Sequence, residues 1–153
     1  MRLTFLLADS AQVQSGKLYI LGGGWNFTGP QPGPGAIAGI IHVGWNETNQ
    51  DHVLAFGLVR DDGEPFMVPT PMGPQPLRVE MKFQIGKPPG VPAGSELNVP
   101  FAFNLGPLPF ESGRRYEWRP KLDGDELVDA RLAFTMRPQP PPTVTFQAPP
   151  NPE

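Results

Sequence analysis

Proline and glycine are gathered into bursts in this chain, and the bursts decide what can fold between them. There are 22 prolines and 18 glycines in 153 residues, concentrated in GPQPGPG (29–35), PTPMGPQP (69–76), GKPPGVPAG (86–94) and RPQPPP (137–142). Proline fixes φ and has no backbone N–H, so none of these segments can be a helix interior or a central strand. The stretches they leave are short and alternate with period two. LRVEMKFQI (77–85) puts Leu77, Val79, Met81, Phe83 and Ile85 on one face and Arg78, Glu80, Lys82 and Gln84 on the other. That pattern is a half-buried antiparallel strand.

The same reading gives strands at 3–8, 17–21, 35–45, 52–60 and 98–105. RYEWRPKL (115–122) leads through Asp123-Gly124 into ELVDARLAFTM (126–136), a β-hairpin with good turn chemistry. Arg60-Asp61-Asp62-Gly63-Glu64 is a second acidic turn. The best helical candidate is a single turn in WNETNQDH (45–52), which Asn46 could cap. Seven to nine strands separated by turns point to an all-β, two-sheet antiparallel sandwich over residues 1–137. Residues 138–153 differ in kind: a Pro-rich C-terminal arm in which only TVTFQ (143–147) could pair as a strand.

A chain of this length can bury a core of roughly 68–70% of its unfolded surface. Ten Phe and three Trp offset a hydrophobic content of only 39%. The net charge is −3 and the largest basic block is Arg114-Arg115, which disfavours nucleic acid. The absence of cysteine excludes disulfides, thiolate zinc sites and a cysteine nucleophile. The apolar run of MRLTFLLADS is cut by Asp9, too short for a signal peptide. No stretch approaches the roughly 20 apolar residues of a membrane span. A cytoplasmic or virion location follows as the expectation.

Gly22-Gly23-Gly24-Trp25 follows a strand, as phosphate loops do. Yet Trp-Asn-Phe-Thr and Gly29-Pro30 come next, so no helix N-terminus is available to face a phosphate. The glycines read as a bend, a structural motif with Trp25 at its exit. Glu47, Asp51 and His52 are the one grouping that could seed an enzyme, and they lack metal-ligand spacing. Asp61, Asp62, Glu64, Asp123, Asp125, Glu126 and Asp129 lie in turns where Asp-Gly chemistry already accounts for them, and each turn is short of the oxygens calcium needs. No serine sits in a nucleophile elbow. The expectation is no enzyme, no cofactor and no metal.

LLADSAQVQSGKLYILGGGWN, GWNETNQDH, GKPPGVPAGSELNVPFAFNLGPLPFESGRRYEW and the DGDE hairpin together resemble a family of uncharacterised small β-sandwich proteins. These occur in bacteria, notably actinobacteria, and in some of their phages. The resemblance covers about Leu3 to Met136, with GKLYxLGGGW as its most specific part. It implies an immunoglobulin- or C2-like sandwich and no activity.

Two functional readings compete. The first is a structural or interaction protein docking into a multi-subunit assembly by sheet edges and the arm, with Thr143, Val144, Thr145 and Phe146 as the binding strip and Phe146 as anchor. Its partners would be protein subunits, copies of itself or components of a phage capsid or tail, as a decoration protein has. The alternative is a soluble cytoplasmic module binding a small molecule, glycan or calcium through Trp25, Trp45 and the acidic turns.

Overall fold

A computed structural model describes residues 1–151. In chain order the strands are β1 (Arg2–Ala8), β2 (Ser10–Gln14), β3 (Lys17–Leu21), β4 (Phe27–Thr28), β5 (Gly35–Val43), β6 (His52–Arg60), β7 (Met67–Val68), β8 (Gln75–Pro76), β9 (Arg78–Phe83), β10 (Leu97–Leu105), β11 (Arg115–Leu122), β12 (Asp125–Glu126) and β13 (Leu132–Met136). The described residues contain two single 3-10 turns, Trp45–Glu47 and Val128–Ala130, and no α-helix. Strands outnumber the seven to nine expected because β4, β7, β8 and β12 are two residues each.

Two sheets carry the fold. One is three-stranded, β1-β5-β10, and the other runs β4-β13-β11-β6-β9 with β12 beside β11. Their pairings are antiparallel except at β4, where Phe27 and Thr28 lie parallel to Thr135 and Met136. Alternation selects one face of each sheet for a shared core. Ile37, Ile41 and Val43 of β5 meet Leu54, Phe56 and Leu58 of β6, Tyr116 and Trp118 of β11, and Phe134 and Met136 of β13. Phe56 is the central contact, with ring centroids 5.0 Å from Phe5, 5.8 Å from Phe101 and 6.0 Å from Phe103. Opposite Phe5 and Phe101 in register is Gly39, whose missing side chain lets β5 lie close under β1.

A hairpin, β2–β3, lies against the outer face of the small sheet. Its turn is Ser15-Gly16, both at positive φ (51° and 71°). It rests on a second cluster of Ala8, Ala11, Ala36 and Ala38, flanked by Leu6, Leu18 and Ile20. The Asn104 side chain fixes it to β10, accepting from Ala11 N–H at 3.1 Å and donating to the Ala11 carbonyl. That carboxamide does the work of a ladder step between backbones not otherwise paired.

The hairpin after β11 differs from the continuous strand expected over 126–136. Asp123 and Gly124 make the turn, both at positive φ (51° and 84°). Two pairs later the ladder breaks, Val128–Ala130 form a 3-10 turn, and pairing resumes at Trp118↔Leu132. Pro120 is the reason: it has no N–H to offer across the strand, and the departing chain bonds its carbonyl instead, Leu127 N–H donating at 3.1 Å. The turn at Trp45–Glu47 is entered from Gly44, not capped by Asn46.

Candidate functional site

Thr143, Val144, Thr145 and Phe146 pair with no strand among the described residues. Pro138, Pro140, Pro141 and Pro142 precede them, and Pro149 and Pro150 follow, so little backbone donor capacity flanks the strip. Phe146 is 91% exposed and Val144 67%. The rest of the arm is exposed through residue 151, while Pro152 and Glu153 lie outside the described residues. Of the sheet edges, β9 is lined by exposed Arg78, Glu80 and Lys82, which discourage indiscriminate strand addition. Along β10, Pro100 interrupts one end and Asn104 holds β2 at the other.

Gly22-Gly23-Gly24 turn the chain from β3 back across the end of β1. Gly22 and Gly24 have φ of 61° and 92°. Asp9 N–H donates to the carbonyls of Leu21 and Gly22, and Gly24 N–H to that of Leu7 at 2.7 Å. A Cβ on Gly23 would come within 2.7 Å of Ile20 and 3.1 Å of Leu6. The bend delivers Trp25 edge-on to Phe134, centroids 6.0 Å apart at 87°. There its indole borders a cleft between the sheets that Leu7, Ile37, Trp118 and Met136 also line. Its Nε1 is buried without an acceptor.

His52 is buried, and both ring nitrogens are engaged. Nδ1 donates to Asp123 Oδ2 at 2.8 Å and Nε2 to the Glu47 carbonyl at 2.7 Å, the pattern of an imidazolium. Burial pushes its pKa down, but the bonds to the Glu47 carbonyl and to the Asp123 carboxylate win and raise it above the usual 6.5. Burial acts to raise Asp123, and the bonds from His52 and from Val53 N–H overcome that and lower it. The Glu47 carboxylate turns away, to the Met1 amino group at 3.0 Å and to Gly44 N–H; the amino group is the main cause of its lowered pKa. Glu47, Asp51 and His52 therefore do not converge, and His52 has no free nitrogen to act as a base.

This network fixes the sign of a pH dependence. The raised His52 pKa contributes stability below its ordinary value that is lost as pH rises through the folded value. The lowered Asp123 and Glu47 values contribute stability above about pH 4 that is lost as pH falls. Chemical denaturation from pH 4 to 9 should therefore give greatest stability between about 4 and 6.5. In His52→Gln the alkaline decline should flatten, and a variant that keeps it would place the titration elsewhere. Removing the ring in His52→Ala should cost about 3 kcal/mol, since a buried ring that packs on Phe83 is lost together with its hydrogen bonds to Asp123 and to the Glu47 carbonyl.

On the outer face of the small sheet the register aligns Arg2, His42 and Asn98. Thr4 Oγ1 lies 3.0 Å from His42 Nε2, and His42 Nδ1 lies 2.9 Å from Asn98 Oδ1 and 3.5 Å from Glu96, which Arg2 also holds. The order hydroxyl, imidazole, carboxamide is that of a nucleophile, base and orienting group. It stands on the outer face of the small sheet with the His42 side chain 12% exposed, and the N–H groups of β5 are committed to β1 and β10, so β5 supplies no oxyanion donor.

The residues of the loop-binding alternative are separated. Trp45 follows the end of β5 that pairs with Arg2, while Trp25 borders the end that pairs with Ala8. Lys87 covers the Trp45 ring at 5.0 Å. Asp61 is bound by Arg114 at 2.8 Å and Asp62 by Arg60 at 3.1 Å. Asp123 is held by His52, and Glu126 by Arg131 at 3.2 Å. Among the described residues, no three His, Cys, Asp or Glu side chains are grouped to hold a metal ion, and no helix is long and apolar enough to cross a membrane.

A family model described as a family of unknown function (DUF6941) matches residues 3–135. No curated protein and no solved structure matches the chain.

Proposed function

We propose, from the premise that the chain belongs to this family of unknown function, that it is a non-enzymatic interaction protein which docks into a multi-subunit assembly. The body is read as an immunoglobulin- or C2-like sandwich, and the Pro-rich arm with the open sheet edges as its docking elements. The observation that carries this is the arm itself: large apolar side chains, Val144 and Phe146, held out on a segment that pairs with no strand among the described residues. An exposed aromatic on an extended strip is what a pocket or sheet edge of another subunit takes up. The occupied state of the polar clusters speaks against chemistry, since His52, Asp61, Asp62 and Asp123 are all engaged in bonds within the fold. A virion accessory protein is one assembly of this kind.

The test is the native mass of untagged protein from its source, beside a version ending at Arg137. The full chain is expected in a large particle and the shortened one as a free, folded monomer. Equal incorporation of both would remove the arm from the docking role.

A further inference from the structure

The hairpin β2–β3 leaves one strand edge open, and its ladder shows which groups stand along it. The Asn104 carboxamide accepts from the Ala11 N–H and donates to the Ala11 carbonyl, so both point away from β3. Bonded and non-bonded pairs alternate along an antiparallel ladder. Ala11↔Ile20 is therefore a non-bonded pair, and so is Val13↔Leu18. The N–H and C=O groups of Leu18 and Ile20 consequently point to the far side of β3. Among the described residues no backbone partner takes them up.

Unlike β9 with its charged row and β10 with Pro100, this edge carries no blocking residue beyond Lys17. Its outward face bears Tyr19, 50% exposed, and Leu21, 70% exposed. Charge is confined to the two ends. Lys17 opens the strand, and the Asp9 carboxylate stands beside Gly22, in the space that a side chain there would fill. The ion pairs among the described residues include neither Lys17 nor Asp9. We propose that β3 pairs antiparallel with β3 of a second copy of this chain, about a two-fold axis at Tyr19.

In that register Leu18 of each copy faces Ile20 of the other, and each such pair exchanges both of its hydrogen bonds. Tyr19 meets Tyr19 on the axis. Lys17 lies across from Leu21, one residue short of the Gly22 beside which the other copy's Asp9 stands, so an ammonium meets a carboxylate at both ends. A two-fold axis at Leu18 would part Lys17 from Asp9. An axis at Ile20 would set Leu18 against Gly22, where φ of 61° has already ended the strand. The edge is thus its own complement, with an apolar centre and unlike charges at its ends, and such an isologous contact closes at two subunits. Five residues of edge make a small interface, so dilute copies stay apart and the pairing forms between copies held close in an assembly. The inference rests on the reading of open sheet edges as docking elements and uses none of the arm.

The test is sedimentation of the full chain from micromolar to millimolar concentration, where the mass should rise and stop at two subunits. Lys17→Glu and Asp9→Lys should each weaken association at least about tenfold, because like charges then meet at both ends. An equimolar mixture of these two variants should restore it, since each supplies the charge that the other needs. The chain has no cysteine, so Tyr19→Cys gives a second reading. Non-bonded pairs hold their Cα atoms about 4.5 Å apart, within disulfide reach, and mild oxidation should link this variant into dimers. Gln12→Cys, exposed on the same face but on β2, should link far more slowly. A chain that stays monomeric at millimolar concentration overturns the proposal. So does equal linking at positions 12 and 19, or a mixture of charge variants that fails to recover. All these variants keep the arm, so their failure leaves its docking role to the native-mass comparison. If shortening at Arg137 leaves the particle intact while the charge mixture recovers, the arm loses its role and the β3 contact stands.

Discussion

Phe56→Ala should lower stability by about 4 kcal/mol, which for a chain of this length is a fall in melting temperature of roughly 8–16 °C. Phe56 is fully buried on β6, and its ring touches Phe5 of β1, Phe101 and Phe103 of β10, and Trp118 of β11. Those partners belong to both sheets, so the substitution removes the ring that joins them and leaves a cavity that neither sheet can fill without moving its backbone. Natural domains have only about 5–15 kcal/mol in hand, so the loss is a large share of the total. Thermal and urea unfolding followed by tryptophan fluorescence would measure it. A cost under 1 kcal/mol would mean that the sheets are joined elsewhere.

The second large effect is Gly39→Ala, one methyl in the middle of β5. A Cβ there would overlap the Thr4 carbonyl oxygen and lie 2.7 Å from Phe5 Cα. The obstacle is backbone, so no rotamer change relieves it, and β1 must shift against β5. A cost of at least about 3 kcal/mol is expected, at the upper end of overpacking penalties. Gly57→Ala in β6 is the control: nothing lies within 4 Å of a Cβ at Gly57. It should be neutral or raise stability by about 0.5 kcal/mol, because alanine restricts the unfolded chain. If both variants behave alike, close approach at Gly39 is not what that glycine provides.

What could be read from the sequence was what depends on neighbours along the chain. Alternation in 77–85 gives β9 with its charged outer face, and the apolar runs at 35–45 and 52–60 give β5 and β6, two of the three nine-residue strands. The Asp123-Gly124 turn shows in its dipeptide, since both positions need positive φ. What could not be read is set across strands. The break after β12 is caused by Pro120, a residue of the opposite strand. His52 opens the expected strand 52–60 with nothing nearby to mark a partner, yet that partner, Asp123, arrives from 71 positions away. Thr4, His42 and Asn98 align only once the register of β1, β5 and β10 is known. Of the glycine run, the absence of a helix was legible. The cleft to which it delivers Trp25 was not, because its walls come from Leu7 at one end of the sequence and Met136 at the other.

The alanine cluster under β2–β3 has a consequence for how the molecule comes apart. Methyl groups allow the hairpin to lie close, but each contributes little when covered, and the hairpin's one aromatic ring, Tyr19, is half exposed and outside the alanine cluster. Residues 10–21 therefore form a light cooperative unit that can lift from the body at a fraction of the free energy of global unfolding. The opened form would bare mostly alanine and a few aliphatic side chains, leaving the phenylalanine core dry, which makes it a poor seed for aggregation. Gly22 and Gly24, next in the chain, are the natural pivots for such a lift, so it would be felt first at Trp25.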